Sequence, residues 1–461
     1  MPHTPPLAGG ISGPDALRPL LALVLDALGE GAVARGGPVP AGGPGAVAAR
    51  VRHAAGDVLP EHGDGAAHAL RTLVRAVAHG AADPADPLCA AHLHTPPLAL
   101  AVAADLAASA LNPSMDSWDQ APAASELEAQ VTRVLAREVY PDGTAPDALV
   151  TTGGTESNQL ALLLARERHG PDRTVQTVCG DTAHHSVRRA AWLLGLPEPV
   201  TTDLHDPAAL DATLAALTAA HGRELLVVAT AGTTDTGRID PLPAIADTAA
   251  RHRAELHVDA SYGGPLLFSA DRRPLLTGLD RADSVTLDLH KLGWQPVAAG
   301  LLAVPDTARL APLDHTAEYL NADDDTDAGL PDLLGRSLRT TRRPDILKIA
   351  VTLRALGSSG LGALVDRTCA VANDLADLVE KHPRLELYER PTLSTVLFRP
   401  AGATDDETAE IRRTLLVQGR AVLGRARADG RLWLKATLLN PHTTPEDLDT
   451  LTRLVEGSTP R

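Results

Sequence analysis

Three short apolar runs, LLVVAT (225–230), ELHVDA (255–260) and SVTLDLH (284–290), do most to limit how this chain can fold. Each is rich in leucine or β-branched residues and bounded by Gly, Thr or Asp, the pattern of strands buried on both faces of a parallel sheet. LPAIADTAARHR, between the first two, has helical spacing, and GLLAVP (300–305) continues the strand series. This strand–helix–strand rhythm predicts an α/β doubly wound sheet. With 461 residues the chain has room for a large sheet domain and smaller flanking layers.

The two ends read differently. Residues 1 to about 45 are Pro/Gly-rich around one helical stretch (Asp15 to Leu28), and GGPVPAGGPGAV reads as a linker. Ala-rich spacing from Val47 to Gly80, and again from Leu98 to Ala110, predicts helices. After Pro344 comes a helix (DILKIAVTLRALG), then strands in STVLFRP and RLWLKATLL and helices in DDETAEIRRTLLVQ and PEDLDTLTRLVE. Three segments follow: a helical one at 1–110, a large α/β domain at 111–345 and a smaller α+β domain at 346–461. The sequence has no internal repeat.

A formal net charge of −16 argues against nucleic acid or an anionic membrane surface as partner, because both favour basic proteins. Three widely spaced cysteines (Cys89, Cys179, Cys369) suggest neither a disulfide framework nor a metal cluster. The first twenty residues lack the basic and apolar regions of a signal peptide, and no uninterrupted apolar run is long enough to span a bilayer. A cytoplasmic protein without a metal site is expected.

Five segments carry chemistry-bearing side chains. TTGGTESNQLALLLARERHG (151–170) places small and hydroxyl residues just before a helix, where free backbone N–H groups and the helix dipole attract an anion. Gly153 and Gly154 allow close approach, while Thr155 and Ser157 can donate. An ordinary N-cap by Thr155 or Ser157 is the alternative. CGDTAHHSVRRAAWLLG (179–195) holds two adjacent histidines suited to stacking on a flat ring or moving a proton. Thr233 and Thr234 end the strand in ATAGTTDTGRIDP.

HVDASYGG puts Asp259 at a strand end, on the sheet edge where ligands bind in such folds, where it could hold a protonated pyridine nitrogen or simply cap a loop. Thirty-two residues on, His290-Lys291 ends SVTLDLHK at the same edge. A desolvated lysine there can form an imine; otherwise it is a surface lysine.

This ordered set resembles the group II pyridoxal-phosphate-dependent amino-acid decarboxylases, from about Ala90 to Glu456. HVDASYGG and SVTLDLHK carry most of the likeness. The resemblance implies an aspartate-aminotransferase-like fold (fold type I), with a central mostly parallel sheet and a smaller α+β C-terminal domain. It implies pyridoxal 5′-phosphate as cofactor, Lys291 as its Schiff-base lysine and Asp259 on the pyridine nitrogen. His184 would stack on the ring and assist proton transfer. Gly154, Thr155, Ser157 and His290 would hold the phosphate, with Thr234 and Ser261 close to the cofactor. A homodimer sharing its active sites is implied too, with segment 1–110 packing on the partner.

NPSMDSWDQAPAASELE, AEYLN, RSLRTTRRPDILK and KATLLNPHTTPEDL look most like the diaminobutyrate and siderophore-type lysine decarboxylases. The implied substrate is an amino acid with a distal amine: 2,4-diaminobutyrate, lysine or ornithine. His94, Asp116, Asp119 and Tyr319 are the substrate-side candidates, the two acids as partners of the amine or as helix caps. Two departures stand out. Ser261 occupies a position where the family commonly has Ala. The stretch ADDDTDAGLPDLLG (322–335) carries no Tyr to return the Cα proton, and the loop at 321–335 is expected to act as a mobile lid. Transamination, oxidative conversion to an aldehyde, decarboxylation of another amino acid and an inactive homologue therefore stay open.

Overall fold

The computed structural model describes residues 4–170, 174–221, 224–315, 317 and 320–458. Two compact units divide the chain: Met1–Pro96 with Thr368–Arg461, and Pro97–Arg367. The first unit opens with helices α1 (Gly13–Arg35), α2 (Gly43–Ala55) and α3 (Ala66–Gly80), then a short strand β1 (Cys89–Ala90). At Gly31, α1 and α3 come so close that a Cβ there would fall 2.5 Å from the Ala78 Cβ. The expected linker is a packed turn and not a flexible one. Pro38 and Pro40 are buried, the Gly42 N–H donates to the Val417 carbonyl at 2.8 Å, and the remaining residues enter α2.

The second unit begins with α4 (Ala99–Leu111) and α5 (Pro122–Val139). It then runs β2 (Asp147–Thr151), α6 (Gly154–His169), β3 (Val175–Cys179), α7 (Ser186–Leu193), β4 (Val200–Thr201) and α8 (Pro207–His221). β5 (Glu224–Thr230), α9 (Leu242–Arg251), β6 (Glu255–Ala260), β7 (Ser284–Asp288) and β8 (Gly300–Val304) follow. The seven strands lie in the order β2-β8-β7-β6-β5-β3-β4. Neighbours are parallel except around β8, which is antiparallel to both β7 and β2. The predicted α/β sheet is present, and β8 is its exception for a simple reason. Only residues 289–299 separate β7 from β8, too few for a parallel crossover with its helix.

Helix α6 covers one face of this sheet. Leu160, Ala161 and Leu164 pack with Leu149 of β2 and Leu302 and Val304 of β8, while Leu162 and Ala165 pack with β3 and β5. Beyond β8 the chain forms a short helix α10 (Asp323–Asp327) within an exposed stretch, 323–331. α11 (Ile346–Lys381) is the one described helix long and apolar enough to cross a membrane by length and composition. Non-helical backbone at Gly357 interrupts it, and it buries Ile346, Ile349, Leu361, Val365 and Leu375, as a core helix does.

The first unit is completed by β9 (Leu385–Leu387), β10 (Thr395–Pro400), α12 (Asp405–Val417), β11 (Val422–Ala428), β12 (Arg431–Thr437) and α13 (Pro445–Gly457). Its sheet has the order β1-β11-β12-β10-β9, antiparallel apart from the β1–β11 edge. Because β1 joins this sheet, the N-terminal helices group with the C-terminal α+β layer. The sequence-drawn divisions at 110 and 345 accordingly do not coincide with the unit boundaries at 96 and 367, and the first falls inside α4.

Candidate functional site

β5, β6 and β7 run parallel, so their C-terminal ends share one edge of the sheet. β2 reaches the same edge, since two antiparallel pairings through β8 give it the direction of β7. Asp259 is near the end of β6, Lys291 just past β7, Thr234 past β5, and the β2–α6 turn at the end of β2.

Gly153 (φ 153°, ψ −179°) is the N-cap of α6 and holds a conformation that L side chains rarely adopt. A Cβ on it would stand 2.9 Å from His290 Cε1, and one on Gly154 would stand 2.2 Å from Ser261 Oγ and 3.2 Å from Asp288 Oδ2. Glycine is therefore required for the turn to meet the ends of β6 and β7. Among the described residues no side chain caps α6, unlike α12 and α13, which carry Thr404/Glu407 and Thr444/Asp447 capping boxes. The first-turn N–H groups of α6 thus remain open to an anion.

Asp259 is 5% exposed and accepts three hydrogen bonds. Asn158 Nδ2 donates to Oδ2 at 2.7 Å, while Ser261 Oγ (2.6 Å) and the Ser261 N–H (3.1 Å) donate to Oδ1. Burial alone would raise its pKa. The Lys291 charge and the Ser261 and Asn158 hydrogen bonds outweigh burial and hold Asp259 below the usual carboxylate range. Lys291 Nζ lies 3.1 Å from Asp288 Oδ2, a buried carboxylate whose Oδ1 has no partner among the described residues. Burial depresses the pKa of both His184 and His290, against the opposing pull of Asp259 on the first and Asp288 on the second.

Beneath these groups lies a polar layer. Asn158 Oδ1 is 3.0 Å from both Thr286 Oγ1 and His257 Nε2, and its Nδ2 donates to Ser186 Oγ at 2.9 Å. Ser186 Oγ is in turn 2.8 Å from His184 Nδ1, and His257 Nδ1 is 2.8 Å from Ser284 Oγ.

The sequence-predicted residues separate into groups. Gly154, Asp259, Ser261, His290 and Lys291 are brought together, and His184 joins them through Ser186. Thr155 is exposed at the α6 start, and Thr234 is exposed on the turn after β5. Ser157 is a correction. Its hydroxyl lies 2.7 Å from Thr151 Oγ1 and donates to the Leu301 carbonyl at 3.2 Å, fully buried between α6, β2 and β8. Its N–H is also engaged, by the Gly153 carbonyl, so it has nothing left for a phosphate. Neither Thr155 nor Ser157 acts as the N-cap.

On the substrate side, Asp116 is buried and accepts from Gln120 at 2.8 Å, whereas Asp119 is exposed and accepts from Ser117 at 2.6 Å. Neither caps α5, which starts from Ala121 without a side-chain cap. His94 is an exposed residue of the first unit, and Tyr319 lies outside the described residues.

A model of the pyridoxal-dependent decarboxylase conserved domain matches residues 51–401. The chain belongs to the pyridoxal-dependent decarboxylase family. This decarboxylase is 43% identical over 404 residues to the L-2,4-diaminobutyrate decarboxylase of Rhizobium meliloti (strain 1021), covering 85% of this chain and 81% of that relative. Its fold matches the glutamate decarboxylase domain of the diaminobutyrate-pyruvate transaminase and L-2,4-diaminobutyrate decarboxylase from Vibrio parahaemolyticus. That match has a TM-score of 0.86 at 32% identity, over 98% of this chain and 97% of the other. Oryza sativa TDC with PLP and tryptamine aligns at a TM-score of 0.87 and 25% identity, over 98% and 99% of the two chains.

The fold type, the cofactor and the reaction class expected from sequence are all borne out: the protein is a pyridoxal-phosphate-dependent amino-acid decarboxylase. The groups at its sheet edge suit that cofactor. Lys291 would supply an amine for its aldehyde, the Asp259 anion a partner for its pyridine nitrogen, and the uncapped α6 start beside two glycines an anion site for its phosphate.

Sequence reading missed Asn158, Ser186, His257 and Asp288. A signal existed for two of them. His257 and Asp259 alternate along β6, as Ser284, Thr286 and Asp288 do along β7, and pairing of Asp259 with Thr286 puts all five on one face. Polar residues at every second position of a buried parallel strand indicate a polar layer, which an apolar-run search passes over.

Proposed function

We propose that this decarboxylase acts on L-2,4-diaminobutyrate, releasing CO2 and 1,3-diaminopropane. The observation that carries the substrate is the 43% identity, over 85% of the chain, to an enzyme named for that amino acid.

In this reading Lys291 would bind the cofactor covalently, and the Asp259 anion would keep a proton on its pyridine nitrogen. The open start of α6, with Gly154, Thr155 and His290, would hold the phosphate, while Thr234, Ser261 and His184 would serve the ring. Once bound, pyridoxal phosphate supplies the conjugated ring that accepts the electron pair left when the substrate carboxylate departs as CO2. The chain's own work is orientation and charge. Asp288, 3.1 Å from Lys291 Nζ, holds the lysine ammonium when it is not attached to the cofactor. Asp116 is the stronger candidate for the distal ammonium because it is buried, and a pair with exposed Asp119 would be weakened by solvent. His94 and Tyr319 are the further substrate-side candidates, and the 321–335 loop, exposed at 323–331, would be a lid that excludes water.

The assembly belongs to the same proposal: a cytoplasmic homodimer with shared active sites, segment 1–110 packing on the partner subunit. Lysine and ornithine differ from diaminobutyrate by methylenes, each worth about 1–3 kcal/mol in a pocket. The test is CO2 release by the cofactor-loaded enzyme from diaminobutyrate, ornithine, lysine, glutamate and aromatic amino acids, with products identified by mass. The expected result is 1,3-diaminopropane, with diaminobutyrate turned over fastest. Preference for an acidic or aromatic substrate, or an aldehyde product, would end this reading.

A further inference from the structure

The hydrogen bonds around Asn158 admit only one arrangement of protons. Turning its amide over would set Oδ1 against the Asp259 carboxylate, acceptor against acceptor, so Nδ2 is the group that faces Asp259 Oδ2 at 2.7 Å. Oδ1 then accepts from Thr286 Oγ1 and from His257 Nε2, both at 3.0 Å, which puts the His257 proton on Nε2. His257 Nδ1 accepts from Ser284 Oγ, and burial keeps the ring neutral, with its pKa lowered to about 4.

The second Nδ2 proton goes to Ser186 Oγ at 2.9 Å. Ser186 therefore has its own hydroxyl proton free for His184 Nδ1, 2.8 Å away, and its backbone N–H points at the same nitrogen from 3.3 Å. A nitrogen that receives two donors carries no proton. We propose that Asn158 is a positioning residue which, through Ser186, fixes His184 as the neutral tautomer with its proton on Nε2. His184 then offers the site a hydrogen-bond donor and not an acid.

This inference rests on the decarboxylase site described above and alters one expectation drawn from it. A neutral imidazole is too weak an acid to return a proton to Cα, so that step falls to another group. The charged groups facing His184 do not upset the arrangement. Desolvation and the neighbouring His185 and Lys291 oppose protonation, and Asp259 and Asp288 favour it, with the balance on the neutral side. The same Asn158 amide braces Asp259, so the two groups are oriented by one side chain that sits fully buried in α6.

The test uses the holoenzyme labelled with 15N-histidine, the His184 signals being assigned with His184→Gln. At pH 7.5 the long-range proton–nitrogen pattern should show His184 neutral with an Nε2 proton. Ser186→Ala should lower the tautomer preference on the order of tenfold, the worth of one hydrogen bond, and raise the titration midpoint. Ser186→Thr should restore both. Asn158→Ala should weaken the preference by itself and add nothing to Ser186→Ala. A charged or Nδ1-protonated His184 in the wild type, or a titration untouched by Ser186→Ala, overturns the proposal. Absence of CO2 release from every amino acid would instead defeat the functional reading, and the nuclear resonance result would stand apart from it.

Discussion

Arg342 and Glu128 form a bidentate ion pair deep in the second unit, with both guanidinium–carboxylate distances at 2.7 Å and side chains 1% and 5% exposed. Arg342 Nε has no partner among the described residues, so the Glu128 carboxylate is the principal compensation for a buried charge. Glu128→Leu removes it. A buried charge stripped of its partner costs about 3–5 kcal/mol, more than a hundredfold in the unfolding equilibrium.

Replacing both residues, Glu128→Leu with Arg342→Met, removes the charge as well and should recover most of that loss. The effect should also reach the site. The Arg342 carbonyl accepts the Met115 N–H at 2.8 Å, next to Asp116, so the single variant should raise KM for diaminobutyrate more than it lowers kcat. Urea titration followed by circular dichroism, at fixed protomer and cofactor concentrations, reads the stability. A loss under about 1 kcal/mol for Glu128→Leu, or a double variant as unstable as the single one, would refute the reasoning.

Three further outcomes follow from the site. Lys291→Ala should abolish turnover and the imine absorbance while leaving the circular dichroism unchanged; retained activity would move the cofactor lysine elsewhere. Gly154→Ala places a Cβ 2.2 Å from Ser261 Oγ, and should push Ser261 off Asp259 and weaken pyridoxal phosphate binding at least tenfold in a fluorescence titration. His257 has a folded pKa of about 4 against an ordinary value of 6.5, so the folded state binds fewer protons. Its contribution is present above pH 6.5 and is lost as pH falls towards 4, by about 3 kcal/mol. His257→Gln should remove that slope from urea midpoints measured across the range, and an unchanged slope would assign it to other groups.

The strands that lead to Asp259 and Lys291 were legible because buried parallel strands are short apolar runs with abrupt polar ends, and ELHVDA coincides with β6. GLLAVP was legible as a strand but not as an antiparallel one, since direction depends on the length and content of its connection to β7. Ser157 was misread for a physical reason. Hydroxyl-rich sequence at a helix start shows that donors are near an anion site, yet helical rotation turns position 157 inward to Leu301. Asn158 gave no signal of chemistry, because an amide inside an apolar helix reads as a stray polar residue until its four partners are known.

By itself the sequence determined which chemistry was available and in what order. One lysine behind a strand, an aspartate 32 residues before it and a glycine turn into a helix are local features, set by strand period and backbone freedom. Tertiary structure alone decided which side chains face one another. Residues 158, 186, 257, 259 and 286 converge only because α6 crosses the face on which β6 and β7 expose alternate residues, and hydrogen-bond direction among them is a property of that convergence. The same holds for the first unit, where β1 joins a sheet built from residues more than 290 positions further along the chain. Contacts between distant segments are set by how whole layers bury their apolar faces, and no local stretch of sequence carries that information.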